Sequence, residues 1–184
     1  MGGLTGQVMG CEPAVLLPQH ELAWYAVHTY SRHEKKVAAE FEGKGLETFL
    51  PLLKQVHRWS DRNKTVELPL FPCYAFVRVA ESAQEKVRVL STGGVIGLVG
   101  AGRVGTPIPA SEVEGIRAIL ENNVRFDPYP FLKVGQRVRV RGGSLDGLEG
   151  ILLERVGGRK LVVSITGVER SLSICIEGLQ VEAA

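Results

Sequence analysis

The chain has 184 residues, of which 45% are hydrophobic and 23% are charged, and its formal net charge is +2. This length suits one medium domain or two small ones, and the composition is that of a folded soluble protein, which excludes a largely disordered chain. A net charge so near zero does not by itself indicate a nucleic-acid-binding protein, so any electrostatic argument depends on local clusters.

The cysteines and the N-terminus exclude two further classes. Cys11, Cys73 and Cys175 lie far apart and form no CxxC pair, which favours a reducing, cytoplasmic setting. The apolar stretch VLLP at 15–18 is too short for a signal peptide or a membrane span. Residues 1–20 are therefore expected to form a loosely ordered tail, and no membrane partner is expected.

The first predicted elements are a strand, a helix and a hairpin. Residues 22–30, LAWYAVHTY, favour a β-strand, and Ser31 with Glu34 forms an S-x-x-E capping box that predicts a helix start. Two strand-like runs, 46–59 and 65–79, flank the polar turn SDRNK. Together the two runs predict a β-hairpin.

Two more helices complete the first predicted domain. Capping boxes that begin at Ser82 and at Ser111 each precede apolar residues at helical spacing, and residues 95–99 between them favour a strand. These elements predict an α+β domain over residues 21–121, with a largely antiparallel sheet flanked by helices.

The return strand of the hairpin has an unusual pattern. Pro69 and Pro72 stand at its entrance, a position typical of a strand start or an edge. Beyond them, Tyr74 and Phe76 share one face of the strand. Two aromatic side chains on one face either pack beneath the helices of their own domain or are offered to a partner.

The last third of the chain differs in pattern from the first two thirds. Residues 122–132, with Pro128 and Pro130, are predicted to be a linker. Residues 133–184 hold five short β-runs separated by glycine-rich turns, which predicts a small closed barrel. The alternation of RVRVR at 137–141 predicts that its three arginines lie on the outer face.

The sequence motifs for cofactor binding, metal binding and catalysis are weak. GAGRVG at 100–105 matches G-x-G-x-x-G, but Pro107 and Pro109 follow, and they prevent the helix that would hold a pyrophosphate. The four histidines show no HxxxH spacing, and there is no G-x-S-x-G. The sequence therefore predicts a protein that is not an enzyme and has no metal site and no cofactor.

Five segments, taken in order and spacing, resemble the NusG family of transcription elongation factors. They are Trp24-Tyr25, PLFPCYAFV at 69–77, the stretch 87–100, Pro107-Ile108 and the glycine-punctuated run 135–150. The resemblance implies an N-terminal NGN domain followed by a small, SH3-like KOW barrel. Because Cys73 stands where the general factor usually has glycine, the chain is more similar to specialised paralogues of the RfaH and UpxY kind.

The resemblance also implies a function. The factor would bind the clamp helices of RNA polymerase through a hydrophobic depression formed or supported by Trp24, Tyr25, Phe71, Tyr74, Phe76, Val113 and Ile116. It would contact the polymerase gate loop through Glu85, Lys86, Val87 and Arg88. Bridging these two elements would restrain clamp opening, so the factor would suppress pausing and termination, as an operon-specific antiterminator.

Further contacts are implied with nucleic acid and at the barrel. The non-template DNA strand of the transcription bubble would pass Tyr30, Arg32, His33, Lys35, Lys36, Arg58 and Arg62, for which a solvated helix face is the alternative. The partner loop of the KOW barrel would be Ser164, Ile165, Thr166 and Gly167. In the general factor this loop binds Rho or a small-subunit ribosomal protein. Thr166 replaces the usual aromatic residue, which disfavours Rho and leaves the ribosomal protein as a partner.

A second function belongs to another class. The chain would then be a KOW-type RNA-binding or ribosome-associated module with no affinity for polymerase, and its binding would depend steeply on salt. In either case a monomer is expected.

Overall fold

The computed structural model describes residues 21–58, 63–101, 104–129, 135–155, 158–176 and 179–184. Its N-terminal part contains an antiparallel sheet built from β1 (Leu22–Thr29), β2 (Glu47–Phe49), β5 (Tyr74–Ala80) and β6 (Val95–Leu98), in the order β2-β5-β1-β6. The predicted hairpin is shorter than expected: β3 (Leu52–Arg58) and β4 (Asn63–Pro69) form a separate two-stranded ladder. The prediction that the return strand runs on to residue 79 is wrong, because the chain turns after Pro69 and residues Tyr74–Ala80 join the main sheet as β5. The expectation of an α+β fold is confirmed.

Three helices flank the four-stranded sheet: α1 (Glu34–Gly43), α2 (Ala83–Leu90) and α3 (Ala110–Glu121). The capping box predicted for α2 is present, because the Ser82 hydroxyl accepts a hydrogen bond from the Glu85 backbone N–H at 3.2 Å. No helix in the described part of the chain is long and apolar enough to cross a membrane.

The capping boxes predicted at Ser31 and Ser111 are wrong. Helix α1 begins after His33 and α3 begins after Pro109, and neither has a side-chain hydrogen bond at its N-cap. At α3 the reason is Pro109, whose ring fixes φ near the helical value and so starts the helix before Ser111 is reached. At α1 the backbone N–H of Val37 bonds to the His33 carbonyl, which places the first turn two residues beyond Ser31.

The turn that leads into β5 explains the role of Glu34. Cys73 lies at a φ of +68°, in the left-handed region that favours glycine. Its backbone N–H donates to the carboxylate of Glu34 at 2.8 Å, and Glu34 is only 4% exposed. The buried acid that was predicted to cap a helix therefore satisfies the backbone of a strained turn.

The sheet has an apolar core on each face. One face packs against α1 and α2 through Tyr25, Val27, Val37, Phe41, Leu46, Val77, Val79, Val89 and Leu98. The other face presents Trp24, Ala26 and Phe76 and packs with α3. The alternation along β1 and β5 therefore sorts the side chains of adjacent residues, such as Trp24 and Tyr25, into different cores.

The C-terminal part is all β, as predicted. It contains β7 (Phe126–Tyr129), β8 (Gln136–Arg141), β9 (Glu149–Arg155), β10 (Gly158–Ile165), β11 (Arg170–Cys175) and β12 (Gln180–Ala183), in the order β12-β8-β9-β10-β11-β7. Strand β7 falls within the segment predicted to be a linker, and it pairs with β11. Pro128 argued against a strand there, but β7 is at the edge of this sheet, where a proline is tolerated.

Two of the three arginines of β8, Arg139 and Arg141, are paired with acids. Val138 and Val140 are buried and the arginines between them point outward, as the alternation predicted. Arg139 forms an ion pair with Glu149, and Arg141 forms one with Glu182 at 2.5 Å. The Arg141–Glu182 pair raises the pKa of Arg141 and lowers that of Glu182, in each case chiefly through the hydrogen bond between the two side chains.

Candidate functional site

The barrel packs against the α3 side of the N-terminal domain, and one hydrophobic core spans both. On the N-terminal side this core includes Trp24, Ala26, Phe71, Phe76, Ile108, Val113, Ile116 and Ile119. On the barrel side it includes Val138, Val140, Leu145, Leu148, Leu161, Val163, Ile165, Val168, Leu172, Ile174 and Ile176. We call this arrangement the closed form, since the barrel covers a face of its neighbour.

A glycine allows the close approach of α3 to the barrel. Gly115 is buried in the middle of α3, and a Cβ placed there would lie 2.9 Å from Leu148 Cδ1 and 3.4 Å from Val163 Cγ1. Glycine inside a helix costs about 1 kcal/mol relative to alanine. The cost is offset in the closed form because β9, β10 and their connections can pack directly on the helix backbone.

The edge of the interface is held by polar contacts. The Glu112 carboxylate on α3 accepts two hydrogen bonds from Thr166, from the backbone N–H at 2.7 Å and from the hydroxyl at 2.6 Å. At the far end of α3 the Asn122 side chain donates to the Ser144 carbonyl at 3.1 Å. We call the Glu112–Thr166 pair the latch.

The latch places the predicted KOW partner loop inside the interface. Ile165 is buried, and the short 3-10 turn Thr166–Val168 lies against the N-terminal domain. A Cβ on Gly167 would lie 3.0 Å from Ile108 Cγ1. Ser164 lies beside them, and its hydroxyl shares a 2.7 Å hydrogen bond with that of Ser171.

The open hydrophobic depression expected from the sequence is absent in the closed form. Trp24, Phe71 and Phe76 are at most 3% exposed, and Val113 and Ile116 on α3 are fully buried. The expectation of an open surface was wrong because the pattern of one strand cannot show that α3 and a second domain cover it. Whether these residues contact polymerase remains a prediction.

Tyr25 lies in the other core. It is fully buried on the side of α1 and α2, and the Lys86 ammonium lies 5.1 Å from its ring centroid. Its hydroxyl has no hydrogen-bond partner among the described residues. Burial, and then the carboxylate of Glu81, raise the pKa of Tyr25. Tyr25 therefore supports the sheet from behind and does not share a surface with Trp24.

One end of the sheet face remains open. Tyr74 is half-buried, and its ring stacks on His28 with centroids 5.4 Å apart and an interplanar angle of 26°. Both rings line a hollow of about 570 Å³ together with Leu90, Ile96, Gly97, Leu98 and Val99. Sequence analysis missed His28 and Gly97. The alternation in LAWYAVHTY placed His28 on the Trp24 face, but strand register was needed to bring Gly97 beside it.

The residues expected to contact the gate loop lie on α2, mostly in local contacts. Arg88 pairs with Glu85 at 2.9 Å and donates to the Lys44 carbonyl at 2.6 Å. Lys86 lies 3.9 Å from Glu81. Val87 is 63% exposed and is the most open of the four.

The predicted nucleic-acid contacts near α1 form an exposed group. Tyr30 is 58% exposed, and its ring meets that of His33 edge-on at 6.0 Å. Arg32 is exposed as well, while Lys35 pairs with Glu67 at 3.4 Å and Lys36 with Glu40 at 3.8 Å. The Arg58 side chain and Arg62 lie outside the described residues.

No group of three His, Cys, Asp or Glu side chains within the described ranges could hold a metal ion. That the protein binds no metal or cofactor and is not an enzyme remains a prediction.

Comparisons with known proteins match most of the chain. The family profile described as "Transcription termination factor nusG" matches residues 22–117, just over half of the chain. The protein "Transcription termination/antitermination protein NusG" of Halalkalibacterium halodurans is 27% identical over 179 residues, which cover 88% of this chain and 98% of that protein. Its namesake from Borreliella burgdorferi is 27% identical over 184 residues, covering 87% and 97%.

A solved structure matches the fold. The structure titled "Domain interaction in Thermotoga maritima NusG" aligns with a TM-score of 0.50 at 22% identity, and the alignment covers 87% of this chain and 97% of that one. At this identity the likeness concerns the fold alone.

Proposed function

The chain belongs to the NusG family of transcription termination and antitermination proteins, and we propose that it binds RNA polymerase through the α3 side of its N-terminal sheet. The clamp helices of polymerase would occupy the surface around Phe71, Tyr74 and Phe76 that the barrel now covers in part. The factor would act in the cytoplasm, without chemistry of its own, by favouring a closed clamp and so suppressing pausing and termination.

The observation that carries this proposal is the single core shared by sheet, α3 and barrel. An apolar surface that a separate small domain covers is suited to exchange one apolar partner for another, because each partner excludes the same water. The latch at its edge is exposed to solvent, where its hydrogen bonds replace hydrogen bonds to water and so contribute only modest stability. Displacing the barrel is therefore feasible for a partner that brings a larger apolar surface.

Displacement would have a second consequence at the barrel. Thr166 and Gly167 contact Glu112 and Ile108 in the closed form, so polymerase binding would uncover the KOW partner loop. A small-subunit ribosomal protein could then bind there. Because Thr166 offers a hydroxyl where an aromatic anchor is usual, we propose that Rho does not, which makes the chain an antiterminator of particular operons.

Two secondary contacts belong to the same proposal. Val87 on α2, the most exposed member of its group, would meet the gate loop of polymerase. The Tyr30–His33 ring pair and the neighbouring Arg32 would follow the non-template strand by stacking and by phosphate contact.

Binding to core RNA polymerase tests the proposal. Thr166→Glu places a carboxylate beside Glu112 and should open the molecule from the barrel side without altering the sheet face. It should bind polymerase more tightly than wild type. Gln180→Glu, an equal charge change at an exposed edge-strand position, should bind as wild type does.

Loss of the aromatic surface should act in the opposite direction. Tyr74→Ala in the Thr166→Glu background should weaken binding by about 2 kcal/mol, as for a true anchor. Phe76→Ala is unsuitable, because removing a fully buried phenyl ring costs about 3–5 kcal/mol of stability. If Thr166→Glu and wild type both fail to bind polymerase, the proposal is wrong.

The RNA-binding alternative makes a different prediction. Its affinity would fall steeply with salt and would depend on the arginines of β8. Arg139 and Arg141 already pair with Glu149 and Glu182, which reduces the positive charge that this face offers to phosphate. Transcription of a paused template, with and without Rho, separates the two functions.

A further inference from the structure

The chain passes from the N-terminal domain to the barrel once, between α3 and β7. At the end of α3 the Asn123 N–H donates to the Leu120 carbonyl at 3.2 Å. The Val124 N–H donates to the Ile119 carbonyl at 3.1 Å, and the two bonds together form a Schellman motif. Asn123 holds the left-handed position of this motif at a φ of +51°, and Val124 packs against the shared core. The end of α3 therefore fixes the chain as far as Val124.

The barrel holds the chain again from Phe126, the first residue of β7. Phe126 is half-buried and packs against the shared core. At the end of the neighbouring strand β11, the Ile176 N–H donates to the Arg159 carbonyl on β10. Because backbone N–H groups alternate in direction along a strand, those of Ser171 and Ser173 face β7 and bond to it.

The proline in β7 does not weaken this pairing. Pro128 lies opposite Leu172, and the N–H of Leu172 faces β10 by the same alternation. The hydrogen that Pro128 lacks would therefore point away from β11, at the open edge of the sheet. Asp127 adds an ion pair with Lys160 at 3.6 Å. Strand β7 is thus a complete part of the barrel.

Arg125 alone separates the two held segments. Of the segment expected to be a linker, residues 122–124 belong to the end of α3 and residues 126–129 belong to β7. The Cα atoms of Val124 and Phe126 can be at most about 7 Å apart. While both attachments hold, the barrel cannot move away from α3. It can only turn about this one residue, in the way that hinge residues absorb a change of φ and ψ.

We propose that Arg125 is the hinge of the closed form, and that the barrel opens by swinging about it while the Schellman motif and the β7–β11 pair stay intact. The latch lies toward the other end of α3, and at 1.5 Å per residue Glu112 is about 14 Å from the last residue of the helix. A swing therefore carries Thr166 far from Glu112. Ser144, whose carbonyl accepts from Asn122 beside the hinge, moves least.

Release of β7 from β11 is the alternative motion, and it disrupts more of the structure. It would remove the partners of the N–H groups of Ser171 and Ser173, whose side chains are buried, and it would uncover Phe126. Rotation about Arg125 leaves these contacts in place. The barrel then stays beside the face that it uncovers, at a high effective concentration, and closes again when a partner leaves. This motion does not depend on which partner opens the molecule.

An opened variant with its native hinge separates the two motions. Gly115→Gln should open the molecule, because a Cβ alone would lie 2.9 Å from Leu148 Cδ1. In hydrogen exchange followed by NMR, the Thr166 amide should exchange at least about fivefold faster than in wild type. The amides of Ser171 and Ser173, which face β7, should keep their wild-type rates.

Lengthening the hinge provides a second test. Insertion of Gly-Ser-Gly-Ser after Arg125 turns a one-residue hinge into a five-residue linker. Because the entropy cost of closure grows as about 1.5 RT ln n with the number of residues n, the Thr166 amide should exchange about tenfold faster. The same insertion after Ser60 lengthens the connection between β3 and β4 inside the N-terminal domain. It is the matched control and should leave the Thr166 rate unchanged.

The left-handed residue at the end of α3 gives a matched pair of substitutions. Asn123→Ala should fray the Schellman motif, because alanine tolerates a φ of +51° less well than asparagine. The hinge then extends over up to about four residues, and the Thr166 amide should exchange severalfold faster, up to about eightfold. Asn123→Gly keeps the left-handed conformation without strain and should exchange at the wild-type rate.

The outcomes separate the hinge from its alternative. If the Ser171 and Ser173 amides of Gly115→Gln gain the same factor as that of Thr166, β7 leaves β11 on opening and the hinge is refuted. If the insertion after Arg125 leaves the Thr166 rate unchanged, the connection does not limit the motion, and the proposal fails as well. Polymerase enters neither measurement, so either result leaves the proposed function standing, and Thr166→Glu tests that function separately.

Discussion

Replacing Gly115 by Gln should undock the barrel while leaving both domains folded. The β-carbon alone would stand 2.9 Å from Leu148 Cδ1, and the four further heavy atoms beyond it have no space between α3 and β10. The helix itself should benefit, because glutamine is a better helix former than glycine by nearly 1 kcal/mol. The substitution should therefore destabilise the docked barrel while it stabilises the helix.

The size of the effect follows from packing. Overfilling a well-packed core costs about 1–3 kcal/mol, and about 1.4 kcal/mol corresponds to a tenfold change in an equilibrium. These costs should lower the population of the closed form relative to the open one by about 5-fold to 150-fold. The Thr166 backbone N–H reports the change directly, because in the closed form it donates to Glu112 at 2.7 Å.

Hydrogen exchange followed by NMR provides the assay. In Gly115→Gln the Thr166 amide should exchange at least about fivefold faster, while amides in the middle of β10 and β11 should keep their protection. Gly43→Gln on α1, where added atoms meet open space, should leave Thr166 unchanged. If Gly115→Gln retains wild-type protection at Thr166, the helix and barrel are not in the contact described, and the explanation for this glycine is wrong.

Three further predictions concern single side chains. Cys73→Gly should raise Tm by a few degrees in calorimetry, because a φ of +68° costs an L residue about 1–2 kcal/mol, more than the added chain entropy of glycine; an unchanged Tm would argue against strain in this turn. Tyr25→Phe should raise the free energy of unfolding at pH 7 by about 1 kcal/mol, since it removes a buried hydroxyl that has no partner among the described residues. Because folding raises the pKa of Tyr25, the titration of this group leaves the free energy of unfolding intact below the unfolded pKa of about 10 and lowers it as the pH rises above that value. Chemical denaturation at high pH should therefore show a smaller loss of unfolding free energy in the Phe variant. Thr166→Val should speed exchange across the latch severalfold and Thr166→Ser should not, because only serine keeps the hydroxyl that donates to Glu112; equal exchange rates in the two variants would mean that this bond does not hold the domains together.

Local sequence patterns predicted those elements of the fold that local interactions determine. Alternation along β5 assigned Tyr74 and Phe76 to one face, and the capping box at Ser82 is made as expected. The box at Ser111 failed because a proline two residues earlier starts the helix by fixing φ. Strand β7 was missed because its pairing with β11 is about 45 residues distant in sequence, and a proline inside it masks the signal.

The candidate site was only partly predictable, because it depends on contacts between distant segments. The aromatic residues could be placed on one strand face, but their coverage depends on Gly115 meeting Leu148 and Val163 across two domains. A glycine inside a helical pattern appears at first as a weakness of the helix. Only the barrel beside it explains why a side chain is unsuitable there. The hollow beside His28 depends likewise on register, which a single strand does not reveal.

The geometry of the interface couples the two proposed binding surfaces. The contact that covers Ile108 and α3 is the same contact that covers Thr166 and Gly167, so neither surface can be freed alone. A ligand specific to the open form binds with an apparent affinity reduced by the open fraction, so at one open molecule in about a hundred a first ligand can strengthen the second by up to about a hundredfold. Thermodynamic linkage requires each ligand to strengthen the binding of the other by the same factor. A protein bound to the partner loop would therefore favour polymerase binding as strongly as polymerase favours it, and variants of the latch would reduce this coupling even where they raise each affinity measured alone.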